Sequence, residues 1–129
     1  MECACISASI DDAAEVLSCK KVTAKKHHKC CECGSQIEPF AQYWYEKIIC
    51  DGYHDRYKTC LDCMSVREHL LCDFYYEMIW ETVREFIEEY PEDLPWAKIS
   101  RLTPAARDKV CAIIEEAWEA ANGGEEDRR

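Results

Sequence analysis

Cys30-Cys31-Glu32-Cys33-Gly34 and Thr59-Cys60-Leu61-Asp62-Cys63 decide how this chain is read. Each stretch carries a Cys-x-x-Cys pair. Four thiolates at that spacing can close a tetrahedron around one zinc ion and leave no position open for water. Cys30, Cys33, Cys60 and Cys63 are therefore expected to hold one structural Zn2+, which contributes folding free energy and activates nothing. Cys31 leaves a choice open, because Cys31-x-Cys33 competes with Cys30-x-x-Cys33. The two-residue spacing suits a knuckle better. Gly34 follows the second thiol at a position that often needs a positive φ. His27 and His28 are the substitutes, although histidines beside lysines are more often solvated.

Working outward, the stretch between the pairs reads as a β-hairpin. Gln42 to Cys50 is rich in Tyr, Trp and Ile, a β-type composition. Asp51-Gly52 is a two-residue hairpin turn. Tyr53 to Thr59 returns as the partner strand and delivers Cys60. From Leu61 the period changes from two to about 3.6. Ser65 and Glu68 are spaced as a capping box. A helix is expected from there to Tyr90, with a break near Cys72-Asp73. Tyr76, Ile79, Val83, Phe86, Ile87 and Tyr90 share one face, and Pro91 ends it. After the linker Pro91 to Pro95, Thr103-Pro104 reads as N-cap and first helical residue. The last helix has the stripe Ala106, Val110, Ile113, Ile114, Ala117 and Ala121, with Gly123 as its stop.

Upstream, residues 1–19 hold Cys3, Cys5 and Cys19, and Asp11 to Leu17 reads as two helical turns with Asp11 or Asp12 as N-cap. Cys3, Cys5 and Cys19 could contribute to a second metal site. Single cysteines such as Cys50, Cys72 and Cys111 are more often small core hydrophobes. The organisation expected is an N-terminal segment at 1–19, a zinc ribbon at 20–63, a helical region at 64–122 and a disordered acidic tail at 123–129. The fold class is α+β, with a four-cysteine zinc ribbon, a β-hairpin with two knuckles, packed on two or three C-terminal α-helices.

The 129 residues fit one domain. No apolar run is long enough to span a bilayer, and no export signal is read at the start. Eleven cysteines, an odd number, suit metal ligation in a reducing compartment better than a disulfide framework. A cytoplasmic location is expected. The net charge of −10 falls mainly in the second half. Residues 1–63 carry eight Lys/Arg against ten Asp/Glu, whereas 64–129 carry eight against sixteen. An acidic chain is poorly suited to tracking phosphates over its whole surface. The run Lys20 to Lys29 is the local exception.

Several chemistries are set aside. Nucleobase deamination needs His-x-Glu and Pro-Cys-x-x-Cys, and Thr59 precedes Cys60 here. Thioredoxin-like chemistry needs one pair in a βαβ setting. A zinc-braced ββα-metal nuclease is the remaining enzymatic reading, with His54 between the pairs and only His69 as a later partner. No small-molecule substrate is evident, and binding rather than catalysis is expected. Lys25, Lys26, Lys29, Tyr45 and Lys58 are candidate nucleic-acid contacts, with aromatic rings for bases and cations for phosphates. The preferred reading is a protein-interaction module, with Trp80, Trp96 and Trp118 as apolar anchors.

The series Lys25 to Gly34, Ile37-Glu38-Pro39, Tyr43, Asp51-Gly52 and Tyr57 to Cys63 resembles small zinc-ribbon proteins of bacteriophages and prophages. The resemblance is closest over residues 20–75. Cys3-Ala4-Cys5 and Trp80 to Glu85 are similar in kind. Phe40 stands at a turn position where that pattern more often has Gly. The resemblance implies an accessory protein acting in a bacterial host cell, with a host or phage protein as partner. It assigns no activity.

Overall fold

The computed structural model describes residue 6 and residues 14–127. Its elements are β1 (Glu15–Thr23), β2 (His28–Lys29), β3 (Gln36–Ile37), β4 (Gln42–Cys50), β5 (Tyr53–Cys60), α1 (Leu61–Leu70), α2 (Ile79–Glu89), α3 (Trp96–Ile99) and α4 (Pro104–Asp127). The class is α+β. A three-stranded antiparallel sheet has the order β1-β4-β5, and β2 pairs with β3 as a separate short ribbon.

The hairpin forms where the sequence places it. Asp51 and Gly52 both take positive φ, 53° and 79°. That pair of conformations is a turn whose twist matches two antiparallel strands. Pairing then runs from Cys50 opposite Tyr53 to Tyr43 opposite Cys60. The register sets the second cysteine pair at the end of the hairpin remote from its turn.

β1 departs from expectation. Glu15 to Leu17 is strand rather than helix, while Asp11 and Asp12 lie outside the described residues. β4 has a free hydrogen-bonding edge opposite β5, and pairing from Glu15 opposite Ile49 to Thr23 opposite Gln42 satisfies it. The strand crosses the boundary drawn between residues 19 and 20. An irregularity between Val16 and Ser18 shifts its register.

Helix α1 begins at Leu61, with no residue between it and the preceding strand. Its N-cap is Cys60, whose sulfur accepts from Cys63 N at 3.5 Å. The Ser65–Glu68 capping box is therefore not used. Ser65 lies inside the helix, and its hydroxyl accepts from Thr103 N at 3.1 Å. Thr103 in turn donates its own hydroxyl to Asp62 at 2.6 Å, tying the entrance of α4 to the first turn of α1.

The helix breaks where expected, around Cys72-Asp73, and the interruption is long, leaving residues 71–78 between α1 and α2. This segment is anchored by Ile6, which bonds Leu70 O and Cys72 N, each at 2.7 Å, in a parallel bridge opposite Leu71. Cys72 is disulfide-bonded, which corrects its reading as a free core thiol. α2 buries Ile79, Val83 and Ile87. They pack with Ala106, Val110, Ile113 and Ile114 of α4 and with Val66 and Leu70 of α1. Cys30 and Cys63 belong to the same core. α4 starts at Pro104 as expected but runs on past Gly123. Among the described residues, no helix is long and apolar enough to cross a membrane.

Candidate metal centre and basic sheet face

Three local features bring the four thiols together. The first knuckle turns sharply between Cys30 and Gly34, with Gly34 N bonded to Cys30 O at 3.0 Å. Gly34 has φ +75°, and a Cβ there would meet only Lys29 Cε, at 3.9 Å. The demand on this residue is thus conformational rather than steric. Gly34→Ala is expected to lower stability by about 1 kcal/mol, read as a fall in melting temperature with metal content unchanged. The second feature is the end of β5 and the third is the first turn of α1, which supply Cys60 and Cys63.

The sulfurs of Cys30, Cys33, Cys60 and Cys63 all lie within 4.8 Å of one another. Cys33 Sγ and Cys60 Sγ are 3.9 Å apart. A tetrahedral thiolate site with bonds of about 2.3 Å spaces its sulfurs about 3.8 Å apart. The cluster could therefore hold a metal ion, and it contains Cys30 rather than Cys31. Cys31 turns instead to the Thr59 hydroxyl at 3.6 Å. Burial pushes its thiol up to about 12, so it stays protonated.

Donors surround the cluster. Glu32 N and Cys60 N both approach Cys30 Sγ at 3.4 Å. The indole of Trp80 donates to Cys63 Sγ at 3.2 Å. Lys109 lies 4.3 Å above the Trp80 ring, so α4 supports the donor on α2. These contacts spread thiolate charge. As bare thiols, Cys30, Cys60 and Cys63 divide the charge unequally. Hydrogen bonds from Cys60 and Cys63 draw Cys30 far below the cysteine range, and their bonds to Cys30 push Cys60 up to about 12 and Cys63 higher still. Four adjacent thiolates need a cation to coexist.

Glu32 adds a structural link that local sequence patterns do not reveal. Its carboxylate accepts from Glu77 N at 2.8 Å and Ile79 N at 3.2 Å, at the start of α2. A negative group suits a helix N-terminus. Burial raises the Glu32 pKa, opposed by these two backbone donors.

Neither expected histidine substitute joins the cluster. His27 pairs with Glu38 at 3.1 Å, and the His28 ring lies 5.2 Å from Tyr43. Cys3 and Cys5 lie outside the described residues, while Cys19, Cys50 and Cys111 are free thiols. Among the described residues no other group of three or more His, Cys, Asp or Glu is arranged to hold a metal. His54 is six residues from Cys60 along an extended strand, about 20 Å. It forms no such group with His69.

The sheet has two dissimilar faces. On the inner face, Glu46 is 1% exposed and Tyr57 stacks on Tyr76 at 4.3 Å. The pairing register fixes the outer face. Lys20, Tyr45 and Lys58 are aligned across it, as are Ser18, Lys47 and Arg56. Lys58 Nζ stands 6.0 Å from the Tyr45 ring. Of the three strands, Glu15 at the far end supplies the only carboxylate on this face. Residues 24–28 close over its other end and leave a groove of about 470 Å³ bordered by Val22, Lys25, Lys26, His28, Tyr43 and Tyr45. Partial desolvation and the charges of Lys58 and Lys26 hold His28 below the ordinary histidine range. Of the expected nucleic-acid contacts, Lys25, Lys26, Tyr45 and Lys58 converge here. Lys29 pairs with Gln36 in the knuckle ribbon and does not line the groove.

Comparison with known proteins finds no matching family, no similar curated protein and no similar solved structure.

Proposed function

We propose that this protein is a zinc-stabilised, non-enzymatic module that binds nucleic acid through the outer face of its sheet. One observation carries the reading. In a chain of net charge −10, the strand register gathers Lys20, Lys47, Arg56 and Lys58 around Tyr45 on a single open face. Charge segregated against the overall balance marks a surface for an anionic partner. None of the four clustered cysteines lines the groove. This reading moves away from the protein partner favoured by composition. It also moves away from the resemblance to phage and prophage zinc-ribbon proteins, which implies an accessory protein of a bacterial cytoplasm with a protein partner.

Salt dependence tests it. Four phosphate contacts give a slope of log K against log salt of about −3 for a single strand. Reversing two of them, Lys47→Glu with Lys58→Glu, should reduce that slope by about 1.4 in magnitude. Fluorescence anisotropy with a labelled oligonucleotide supplies the measurement. Affinity indifferent to both salt and charge reversal would remove the reading.

A second reading rests on the helical region. Trp96 and Trp118 are 50% and 41% exposed, with ring centroids 6.3 Å apart. They would anchor a protein partner. Capture of one protein from bacterial lysate that survives nuclease, and is lost with Trp96→Ala, would favour that alternative.

A further inference from the structure

Phe40 is 85% exposed and is held at φ +71°. Glycine adopts this conformation freely, whereas a bulky L-residue is rarely found in it. The turn is not loose. Phe40 N bonds Ala24 O at 2.7 Å, Ala24 N bonds Ala41 O at 2.8 Å, and Ala41 N bonds Glu38 O at 3.0 Å. The ring adds almost no burial to offset the strain. A strained residue that the core does not require is the pattern expected where binding sets the choice.

Its position says what is bound. Ala24, to which Phe40 is fastened, sits between Thr23 and Lys25, and both line the groove. A solvent-facing aromatic residue is thus fastened through its backbone to the residue between two that line the groove. We propose that Phe40 is a base-stacking residue and that the ligand of this face is single-stranded nucleic acid. This rests on the nucleic-acid reading above and extends it to a strand type and a residue. Unpaired bases offer their faces to an aromatic ring, and the flanking lysines meet the phosphates. A duplex keeps its base faces stacked and has nothing to offer Phe40. Phenylalanine carries no polar atom on its ring, so stacking on it tolerates any base.

The test uses the full chain, a labelled oligodeoxythymidine and a duplex of the same length. Phe40→Gly relieves the strained φ and removes the ring. It is expected to weaken single-strand binding about tenfold, to leave duplex affinity unchanged, and to melt no lower than the wild type. Phe40→Tyr keeps a ring and should retain affinity. If the wild type binds and Phe40→Gly binds the single strand equally well, the inference is overturned while the nucleic-acid reading stands. Equal losses on single strand and duplex also overturn it. A wild type without affinity for either nucleic acid removes both.

Discussion

Cys60→Ala is expected to release the metal and unfold the junction between the sheet and α1. Cys60 has two duties: its sulfur belongs to the cluster of four thiols, and the same sulfur caps α1. Apparent binding free energies of structural zinc reach about 10–16 kcal/mol, comparable with the whole stability of a small domain, about 5–15 kcal/mol. Native mass spectrometry should find one ion per wild-type chain and none in the variant. A chelator should lower the melting temperature of the wild type sharply. Cys31→Ser is the control and should keep its ion, because Cys31 faces Thr59. A melting temperature unmoved by chelation would end the structural role assigned to the metal.

The next largest effect is expected at the ion pair beneath the sheet. Glu46 and Arg67 are joined by two hydrogen bonds of 2.6 and 3.0 Å, with side chains only 1% and 9% exposed. Tyr76 OH donates to the same carboxylate at 3.2 Å, and the guanidinium lies 4.1 Å from the Phe74 ring. Burial opposes the Arg67 charge, yet the hydrogen bonds and charge of Glu46 hold its pKa above the ordinary value. Removing one partner strands the other without water. Arg67→Ala should destabilise by about 3–5 kcal/mol, measured by urea unfolding. The double change Glu46→Leu with Arg67→Met removes both charges together and should cost much less. Losses that simply add would show that the two residues act independently.

The hairpin was legible because its signals are local. An Asp-Gly turn and an aromatic, β-branched flank suffice to specify strand, turn and strand. The two Cys-x-x-Cys pairs were legible for the same reason, although spacing favoured Cys30 over Cys31 without excluding it, and only the fold turns Cys31 away to Thr59. β1 was not legible. Val16 and Leu17 are both exposed, at 48% and 49%, and the irregularity beside them breaks the two-residue alternation. Only the distant edge of β4 makes that segment a strand. The Ser65–Glu68 pattern misled because a capping box is defined by spacing, whereas Ser65 is engaged by Thr103, 38 positions away. α3 is four residues between the linker and Pro104, too short to show a period. At the candidate site, Tyr45 and Lys58 were legible from the sequence but not the face they share with Lys47. That needed the strand order, which places Lys20 beside them and turns Lys21 toward the other side, 5.8 Å from Trp44.

Alternation along the sheet has an evolutionary consequence. The inward positions Glu46, Ile48 and Thr59 are buried and bound to the rest of the fold, so drift there is penalised at once. The outward positions Lys20, Lys47 and Arg56 touch mainly solvent, where substitutions usually shift stability by no more than about 0.5 kcal/mol. The proposed contacts Lys20, Lys47 and Arg56 are therefore inherited apart from the inward residues that hold the fold. A descendant could change the charge of the outer face, one outward side chain at a time, while passing on its thiol cluster and its core intact.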